Sequence, residues 1–297
     1  PPGRSGGRGR GGGGSRRLRL SVRPGSALAL ALLALLIAGC GRHPPAAMAV
    51  GAEPESSLIG HLYAAALRYY GTPARVVDTD EAMGALDSGT VKVMPGFTGR
   101  LLVSLEPGAV ARADEQVYRD LLSALPEGVA AGDYTMAAQD KPAVVVTEAT
   151  ATRWGGTDLA VLRRNCAGVR TGSIAGARVP AAVGSCTLPK TREFPDEDRL
   201  FAALRAGEIN AAWSTTADPA IPAELVVLAD KTALIRAENL VPLYRRNELD
   251  ERQILALNEV AGVLDTGALA DMRRQVAEGA DPGAVADAFL QANPLGH

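Results

Sequence analysis

The apolar and polar positions after residue 47 follow two alternating patterns. Short runs rich in valine and other apolar residues, such as "ARVVD" at 74–78 and "KPAVVVTEA" at 141–149, predict buried strands. The segments between them place apolar residues three or four positions apart, which predicts helices that pack by one face. Strand and helix succeed each other along most of this part of the chain. The pattern therefore predicts an α/β architecture.

The first predicted helix is expected to start at a cap on Ser56 or Ser57 and to end at Gly71. Additional strands are predicted at 90–99 and 223–230. Further helices are predicted at 79–89, 114–125, 251–264, 267–279 and 282–293.

Two stretches share one layout. "ALDSGTVKVMPGFT", from Ala85, and "ALRAGEINAAWSTT", from Ala203, each describe a helix, a glycine and a strand that ends in an aromatic residue. The two aromatic residues are Phe97 and Trp213. Ligands of open α/β sheets bind beyond the carboxyl ends of the strands. The repeat therefore predicts two similar lobes that each form one wall of a cleft; the alternative is chance similarity in a sequence rich in Ala, Gly and Leu.

The first 40 residues have the features of an export signal. Arginines precede an apolar run, "ALALALLALLIAG" at 27–39, which is short for a membrane span. The run ends in "LIAGC", which matches the lipobox of bacterial lipoproteins and predicts that Cys40 is lipidated. The alternative is a signal anchor with an incidental cysteine. We expect residues 1–40 to be a low-complexity leader with a signal peptide, residues 41–47 to be a linker, and the rest to be lipid-anchored on the extracytoplasmic face of the cell membrane.

Composition narrows the class of protein. The chain has 31 Lys and Arg against 33 Asp and Glu, and many of the arginines lie in the leader, so the remainder is mildly acidic and nucleic acid is not an expected partner. Cys166 and Cys186 remain beyond the leader, and an even pair in an exported protein suggests a disulfide. The three histidines lie far apart in sequence, so we expect no metal site and no cofactor.

Catalytic patterns are weak. Beyond the leader the sequence contains no G-x-S-x-G motif, and Ser214 and Asp218 have no histidine nearby in sequence to act as a base. A catalytic pair of carboxylates stays open, but no pattern favours one. We expect that the protein is not an enzyme.

Four stretches resemble a known family, the substrate-binding lipoproteins of ABC importers for osmoprotectants, of the glycine betaine/choline (ProX-like) type. "VGAEPESSLIGHLYAAALRYYG" is similar to the opening of that family, and "ALDSGTVKVMPGFTGRLL" is similar to its A-L-x-x-G-x-I-D-x-x-P-E-Y-T-G-T stretch. "ALRAGEINAAWSTTADPAIPAELVVLAD" resembles its S/T-T-D motif, and "DPGAVADAFLQANPL" its C-terminal helix. Within this family, the chain resembles an actinobacterial branch of LpqZ-like lipoproteins, because its composition is rich in Ala, Arg and Gly.

The resemblance implies a two-lobed, type II periplasmic-binding-protein-like fold, in which each lobe is a mixed sheet flanked by helices. Lobe 1 would comprise residues 48–138 and 238–297, and lobe 2 residues 139–237. The chain would cross between the lobes near Met136–Pro142 and Lys231–Val241. The implied partners are a small-molecule solute and the permease and ATPase subunits of an importer, and the protein itself is expected to be a monomer.

The resemblance also implies a site between the lobes. In this family, aromatic faces hold a quaternary ammonium by cation–π attraction, and polar groups hold the rest of the ligand. Glu53, Glu55 or Asp230 is a further candidate to hold a cation. The implied ligand-binding residues are Glu55, Ser56, Phe97, Thr98, Tyr134, Trp213, Ser214 and Thr215.

This sequence departs from the family at the expected cage. "PGFTGR" has Gly96 and Phe97 where the family has glutamate and tyrosine, and "KTALIRAENLVP" has Glu238 and Asn239 in a stretch where the family has an aromatic residue. Phe97 and Trp213 therefore have a second interpretation, as core residues. A rival function is an envelope interaction or stress lipoprotein that keeps the scaffold without transport. The arginine pair that includes Arg273 is expected to lie on a solvated face.

Overall fold

A computed structural model describes residues 46–296; the predicted signal peptide with Cys40, and also His297, lie outside the described residues. The chain from Ala47 onward forms one compact unit. Its first elements are β1 (Met48–Ala52), α1 (Ser57–Tyr69), β2 (Ala74–Asp78), α2 (Ala82–Asp87), β3 (Val93–Phe97), α3 (Thr98–Leu105), α4 (Asp114–Ala124) and β4 (Val129–Ala131). There follow β5 (Pro142–Thr147), α5 (Glu148–Trp154), α6 (Ala160–Arg164), β6 (Thr171–Ile174), β7 (Ala182–Val183), β8 (Cys186–Thr187), β9 (Arg192–Phe194), α7 (Glu197–Arg205), β10 (Ala211–Thr215) and β11 (Leu225–Val227). The last elements are β12 (Leu240–Arg245), α8 (Glu251–Val263), α9 (Thr266–Ala277) and α10 (Pro282–Ala292).

Two five-stranded sheets share one topology. The first has the order β2-β1-β3-β12-β4, and the second, read from its far edge, has the order β9-β6-β10-β5-β11. In both sheets the first three strands are parallel and the fourth runs antiparallel to its two neighbours. The strands β3 and β10, which end in Phe97 and Trp213, therefore occupy the same place in their sheets. This confirms the prediction of two similar lobes, and we call each sheet with its helices the first or second lobe.

Each sheet is covered on both faces. Along β3, Val93 and Phe97 point into one hydrophobic cluster with α1, α8 and α10, and Met94 points into another with α3 and α4. Along β5, Val144 and Val146 likewise face one cluster and Val145 the other. This alternation is the period-two pattern of strands with two buried faces. The α/β prediction is confirmed, and each lobe has three layers.

Aspartates start many of the helices. The carboxylates of Asp196, Asp250, Asp265 and Asp281 each accept the backbone N–H three residues on, which satisfies a free donor of the first turn. The expectation that a serine caps α1 is wrong, because the Ser56 side chain makes no cap hydrogen bond. Its hydroxyl instead accepts the N–H of Glu53 at 3.1 Å in the 3-10 turn that precedes α1.

The cysteine pair forms the expected disulfide. Cys166 and Cys186 are joined, with 5.7 Å between their Cα atoms. The bond ties the turn at Cys166–Gly168 to the small hairpin of β7 and β8, which pair only with each other. It closes a 20-residue separation in a segment that has few large side chains of its own. Within residues 46–296, no helix has the length and apolar character needed to cross a membrane.

Candidate ligand-binding cleft between the lobes

Two crossing segments join the lobes side by side. The chain leaves the first sheet after β4 and returns to it at β12. In the crossings, Gln139 forms an antiparallel bridge with Asn239, and the N–H of Asp140 donates to the carbonyl of Glu238 at 2.9 Å. The two segments therefore form a short hydrogen-bonded ladder, and a relative rotation of the lobes would act on these residues.

The end of β3 is fastened to the second crossing. The N–H of Thr98 donates to the carbonyl of Asn239 at 2.9 Å, and the Thr98 hydroxyl accepts the N–H of Asn239 at 3.1 Å. The next residue is Gly99, where a Cβ atom would lie 2.5 Å from the carbonyl oxygen of Ala237. Only glycine permits this approach of helix α3 to the crossing.

The end of β10 is fastened to the first crossing. The Thr216 hydroxyl donates to the carbonyl of Gln139 at 2.9 Å and accepts the N–H of Lys141 at 3.2 Å. Just before it, the Ser214 hydroxyl donates to the carboxylate of Asp218. Ala217 packs into the hydrophobic cluster of the first lobe. The carboxyl end of β3 therefore contacts the second crossing segment and the carboxyl end of β10 contacts the first, and these two segments are paired with each other.

A charged cluster lies at this meeting point. The side chain of Asp140, only 5% exposed, accepts from Arg273 Nη2 at 2.9 Å and from Arg100 Nη2 at 3.3 Å. Arg273 Nη1 lies 2.9 Å from the other carboxylate oxygen without hydrogen-bond geometry, and donates to the carbonyl of Ala217 at 3.2 Å. Arg100 lies in the first turn of α3, and Arg273 lies in α9. We call the paired crossing segments around Asp140 and Glu238 the hinge. The cluster therefore connects the first lobe, the hinge and the loop after β10.

The electrostatics of Asp140 follow from this cluster. Burial alone would raise the pKa of Asp140. The hydrogen bond and charge of Arg273 outweigh burial, with contributions from the Thr215 hydroxyl and Arg100, and hold the pKa below its ordinary value. Asp140 is therefore ionised at neutral pH, and the expectation that Arg273 lies on a solvated face is wrong.

Glu238 is a second buried carboxyl at the hinge. It is 8% exposed, and its Oε2 accepts the N–H of Arg100 at 2.9 Å at the start of α3. Burial raises its pKa to about 7 and outweighs the opposing N–H and charge of Arg100. The group is therefore partly protonated near neutral pH, unlike Asp140.

A further ion pair closes the back of the hinge. Lys141 lies 3.3 Å from Asp230, and the side chains are 14% and 3% exposed. The Asp230 carboxylate also accepts the N–H groups of Leu234 and Ile235 at 2.9 and 3.0 Å. Burial would raise the pKa of Asp230, but these N–H groups and Lys141 lower it. Asp230 is thus engaged within the protein itself.

The aromatic residues expected at the site lie in three different clusters. Phe97 is 6% exposed and packs in the α1 side of the first lobe, while Trp213 is 3% exposed and packs in the core of the second. Tyr134 packs against Tyr118, with 4.7 Å between the ring centroids, on the other face of the first sheet. The structure brings Phe97 and Thr98 together with the charged cluster, and it does not bring the three rings into one cage.

The polar residues expected at the site are divided in the same way. Ser214 and Thr215 are partly exposed at the end of β10, beside the hinge. Ser56 is partly buried and Glu55 is exposed, and both lie in the turn before α1. Glu55 lines a pocket of about 220 Å³ that is formed by first-lobe residues and that reaches the charged cluster through Arg273.

Sequence reasoning missed the residues that carry the charge. Arg100 and Asp140 were not singled out, although Arg100 directly follows the "PGFTG" stretch and stands where the family pattern has threonine. Asp140 has a weaker signal, an acidic residue just before a strongly apolar strand. Asp140 lies 40 positions from Arg100 and 133 positions from Arg273 in the sequence, and contacts between such distant residues depend on the fold.

This arrangement, two lobes of identical topology that meet at paired crossings, is the two-lobed, type II periplasmic-binding-protein-like fold. A family profile described as the substrate-binding domain of an ABC-type glycine betaine transport system matches residues 48–292. The chain belongs to this family, which is one of transport proteins and not of enzymes. In a comparison with curated protein sequences, no sequence matches.

Solved structures agree on the fold. The chain is similar to a structure described as a glycine betaine/carnitine/choline ABC transporter, with 15% identity, a TM-score of 0.68, and coverage of 83% of this chain and 98% of that one. It is similar to YehZ from Escherichia coli, with 20% identity, a TM-score of 0.66, and coverage of 84% and 99%. Lactococcal OpuAC in complex with glycine betaine gives 13% identity, a TM-score of 0.51, and coverage of 83% and 95%. At these identities the similarity establishes the fold alone.

Proposed function

We propose that the protein is the extracytoplasmic solute receptor of an ABC importer and captures one small polar solute, of the glycine betaine and choline class or a related kind, between its lobes. The family membership of residues 48–292 carries this proposal. The position of Arg100, Asp140 and Arg273 at the crossings supports it, because this cluster lies where the lobes meet and Arg273 also donates to the carbonyl of Ala217 in the second lobe.

In the proposed mechanism the lobes comprise residues 48–138 with 238–297, and residues 139–237. A solute that contacts both strand ends binds one lobe arrangement better than the other and shifts the population toward it. The permease then recognises that arrangement. The proposed contacts from the first lobe are Phe97 and Thr98, and from the second Ser214 and Thr215.

The other proposed contacts lie further from the hinge cluster. Trp213 reaches a solute only if side chains in its cluster move, since it packs in the core of the second lobe, whereas Tyr134 is partly buried at the side of its cluster. Glu55 lines the pocket that Arg273 shares, and Ser56 is the next residue in the same turn.

We further propose that a lipid on Cys40 holds the protein at the outer face of the cell membrane. The apolar run at 27–39 and the "LIAGC" sequence support this. Metabolic labelling with a fatty-acid analogue tests it. We expect label on the wild-type chain and none on the Cys40→Ser variant, and equal labelling of both would contradict the anchor.

Thermal unfolding of the full chain in the presence of solutes tests the transport function. The panel contains glycine betaine, choline, carnitine, amino acids, polyamines and small organic acids at millimolar concentration. A ligand of the folded state raises the melting temperature by mass action, and at 100 times its Kd it adds about 2.7 kcal/mol. We expect at least one of these solutes to raise the melting temperature. If none of them does, the function without transport, as an envelope interaction lipoprotein, replaces this proposal.

A further inference from the structure

One face of the Phe97 ring is covered by a cation of the protein itself, the side chain of Arg100. The guanidinium carbon of Arg100 lies 4.8 Å from the centroid of the Phe97 ring. A cation within about 6 Å of a ring centroid is attracted by the ring quadrupole. The two residues are three apart, at the junction of β3 and α3, so this contact belongs to the local structure of the turn. A quaternary ammonium that used the same ring face would have to displace Arg100 or lie next to it.

The cluster around Arg100 carries an excess of positive charge. Two guanidinium groups, of Arg100 and Arg273, share the single carboxylate of Asp140. Glu238 is the other acidic group that faces Arg100, and its pKa of about 7 leaves it only partly ionised at neutral pH. A permanent cation next to Arg100 is therefore opposed by charge, and an anion there is favoured.

Arg100 also has donors to offer. Its side chain is 39% exposed, and only its Nη2 is engaged, with the carbonyl and the carboxylate of Asp140 at 3.4 and 3.3 Å. Within residues 46–296, no acceptor is hydrogen-bonded to its Nε or Nη1. A guanidinium presents five N–H groups, and those on Nε and Nη1 lie on different edges, so each of them can donate a single hydrogen bond to a carboxylate oxygen.

We propose that Arg100 determines the specificity of the cleft: it takes the aromatic face that a quaternary ammonium needs, and it offers its unengaged N–H groups to the carboxylate of a small solute without positive charge. The ligand class is thus a compact monocarboxylate. This inference rests on the proposed transport function, and it narrows the solute to a related kind that lacks the quaternary ammonium of glycine betaine and choline.

A pair of isosteric probes separates the two charges of a zwitterionic solute. Glycine betaine carries a trimethylammonium and a carboxylate, whereas tert-butylacetate has the same shape and carboxylate with carbon in place of the charged nitrogen. Titration calorimetry of the full chain gives a Kd for each probe. We expect the wild type to bind tert-butylacetate about tenfold more tightly than glycine betaine, because Arg100 occupies the ring face and its charge repels the trimethylammonium.

Arg100→Thr removes the cation and exposes the Phe97 ring. We expect the ratio of the two affinities to move about tenfold toward glycine betaine, because the ring then attracts the ammonium. The variant is expected to fold, since Asp140 keeps Arg273 as a partner. Arg100→Gln, which retains a donor to Asp140, is the milder variant and must shift the ratio in the same direction. Arg119→Thr, on the exposed face of α4, is the control and must leave the ratio unchanged.

The outcomes are distinct. Tighter binding of glycine betaine by the wild type, or a ratio that neither Arg100 variant changes, overturns the inference while the transport function stands. Glycine betaine binding that appears only in the variants supports the inference. Absence of binding of both probes to all these proteins overturns the inference, and the wider solute panel then decides whether the transport function survives.

Discussion

The carboxyl ends of β3 and β10 occupy the same place in two sheets of the same topology, yet they are built differently. After β3 the chain turns directly into helix α3, and Arg100 covers the ring of Phe97. After β10 the chain forms a turn held by Ser214 and Asp218, and Trp213 lies inside the lobe, 3% exposed. One end therefore presents charge to the cleft, whereas the other presents hydroxyl groups.

This difference shows that equivalent positions in repeated lobes need not have equivalent roles. Both aromatic residues end their strands, but their immediate neighbours decide what the cleft meets. At β3 the neighbour is a guanidinium whose counter-ion, Asp140, lies on the hinge. In the proposed mechanism the first lobe thus supplies the charge that selects the solute, and the second lobe supplies hydroxyl groups next to the crossings.

The largest expected effect tests the interior position of Trp213. Trp213→Ala is expected to lower the free energy of unfolding by about 4 kcal/mol, the usual cost of emptying a large aromatic site in a core. Trp213→Phe is expected to cost much less, because the indole Nε1 has no hydrogen-bond partner to lose among the described residues. Chemical denaturation measures both. An alanine variant of wild-type stability that no longer binds solute would place Trp213 on the cleft wall instead.

The next effect concerns Glu238, the carboxyl at the start of α3. A pKa raised from 4.5 to about 7 corresponds to about 3 kcal/mol of stability. Because the folded state holds the proton more tightly, this contribution is complete below about pH 4.5 and is lost as the pH rises through about 7. Glu238→Gln cannot ionise, so the difference in stability between variant and wild type should grow over this window.

Urea denaturation at several pH values measures this difference. Asp140 has a lowered pKa, so its contribution has the opposite sign and is lost only at acid pH. It does not disturb the window of Glu238. A stability difference that is constant between about pH 4.5 and 8 would mean that Glu238 is ionised in the folded protein throughout this range.

The smallest expected effect tests the contact of α3 with the second crossing. A Cβ atom at Gly99 would lie 2.5 Å from the backbone oxygen of Ala237, so Gly99→Ala is expected to cost about 2 kcal/mol. Gly108 lies a few residues after α3 with open space around its Cα atom. Gly108→Ala is the matched control and is expected to be neutral or slightly stabilising. Equal melting temperatures of the two variants would mean that the backbone at Ala237 shifts to accommodate the new methyl group without a loss of stability.

The sequence pattern predicted much of the fold because the spacing of apolar residues within each strand or helix reflects which of its faces is buried. The strand at 74–78 and the last three helices lie within a few residues of their predicted bounds. Helix α3 was missed, because it is short and starts with Thr98 and Gly99, which are weak helix formers. The internal repeat was a stronger guide, since it placed Phe97 and Trp213 at equivalent strand ends.

The candidate site was less predictable for a physical reason. Ion pairs such as Asp140 with Arg273 have no period in the sequence and form only when distant segments meet. The expected aromatic cage is also not formed, because Trp213 and Tyr134 pack against apolar residues within their own lobes. Glu238 and Asn239 were identified in advance as departures from the family pattern, and the arginine at position 100, where that pattern has threonine, was a similar signal that was not used.

Hydrogen exchange with and without the solute that most raises the melting temperature tests the central claim, which is capture between the lobes. Amide protection reports local opening, so a solute that bridges the lobes must slow exchange on both sides. We expect slower exchange at Thr98–Arg100 and at Ser214–Asp218 together, with unchanged exchange in α4. Protection confined to one of these segments, or to the pocket beside Glu55, would contradict capture between the lobes.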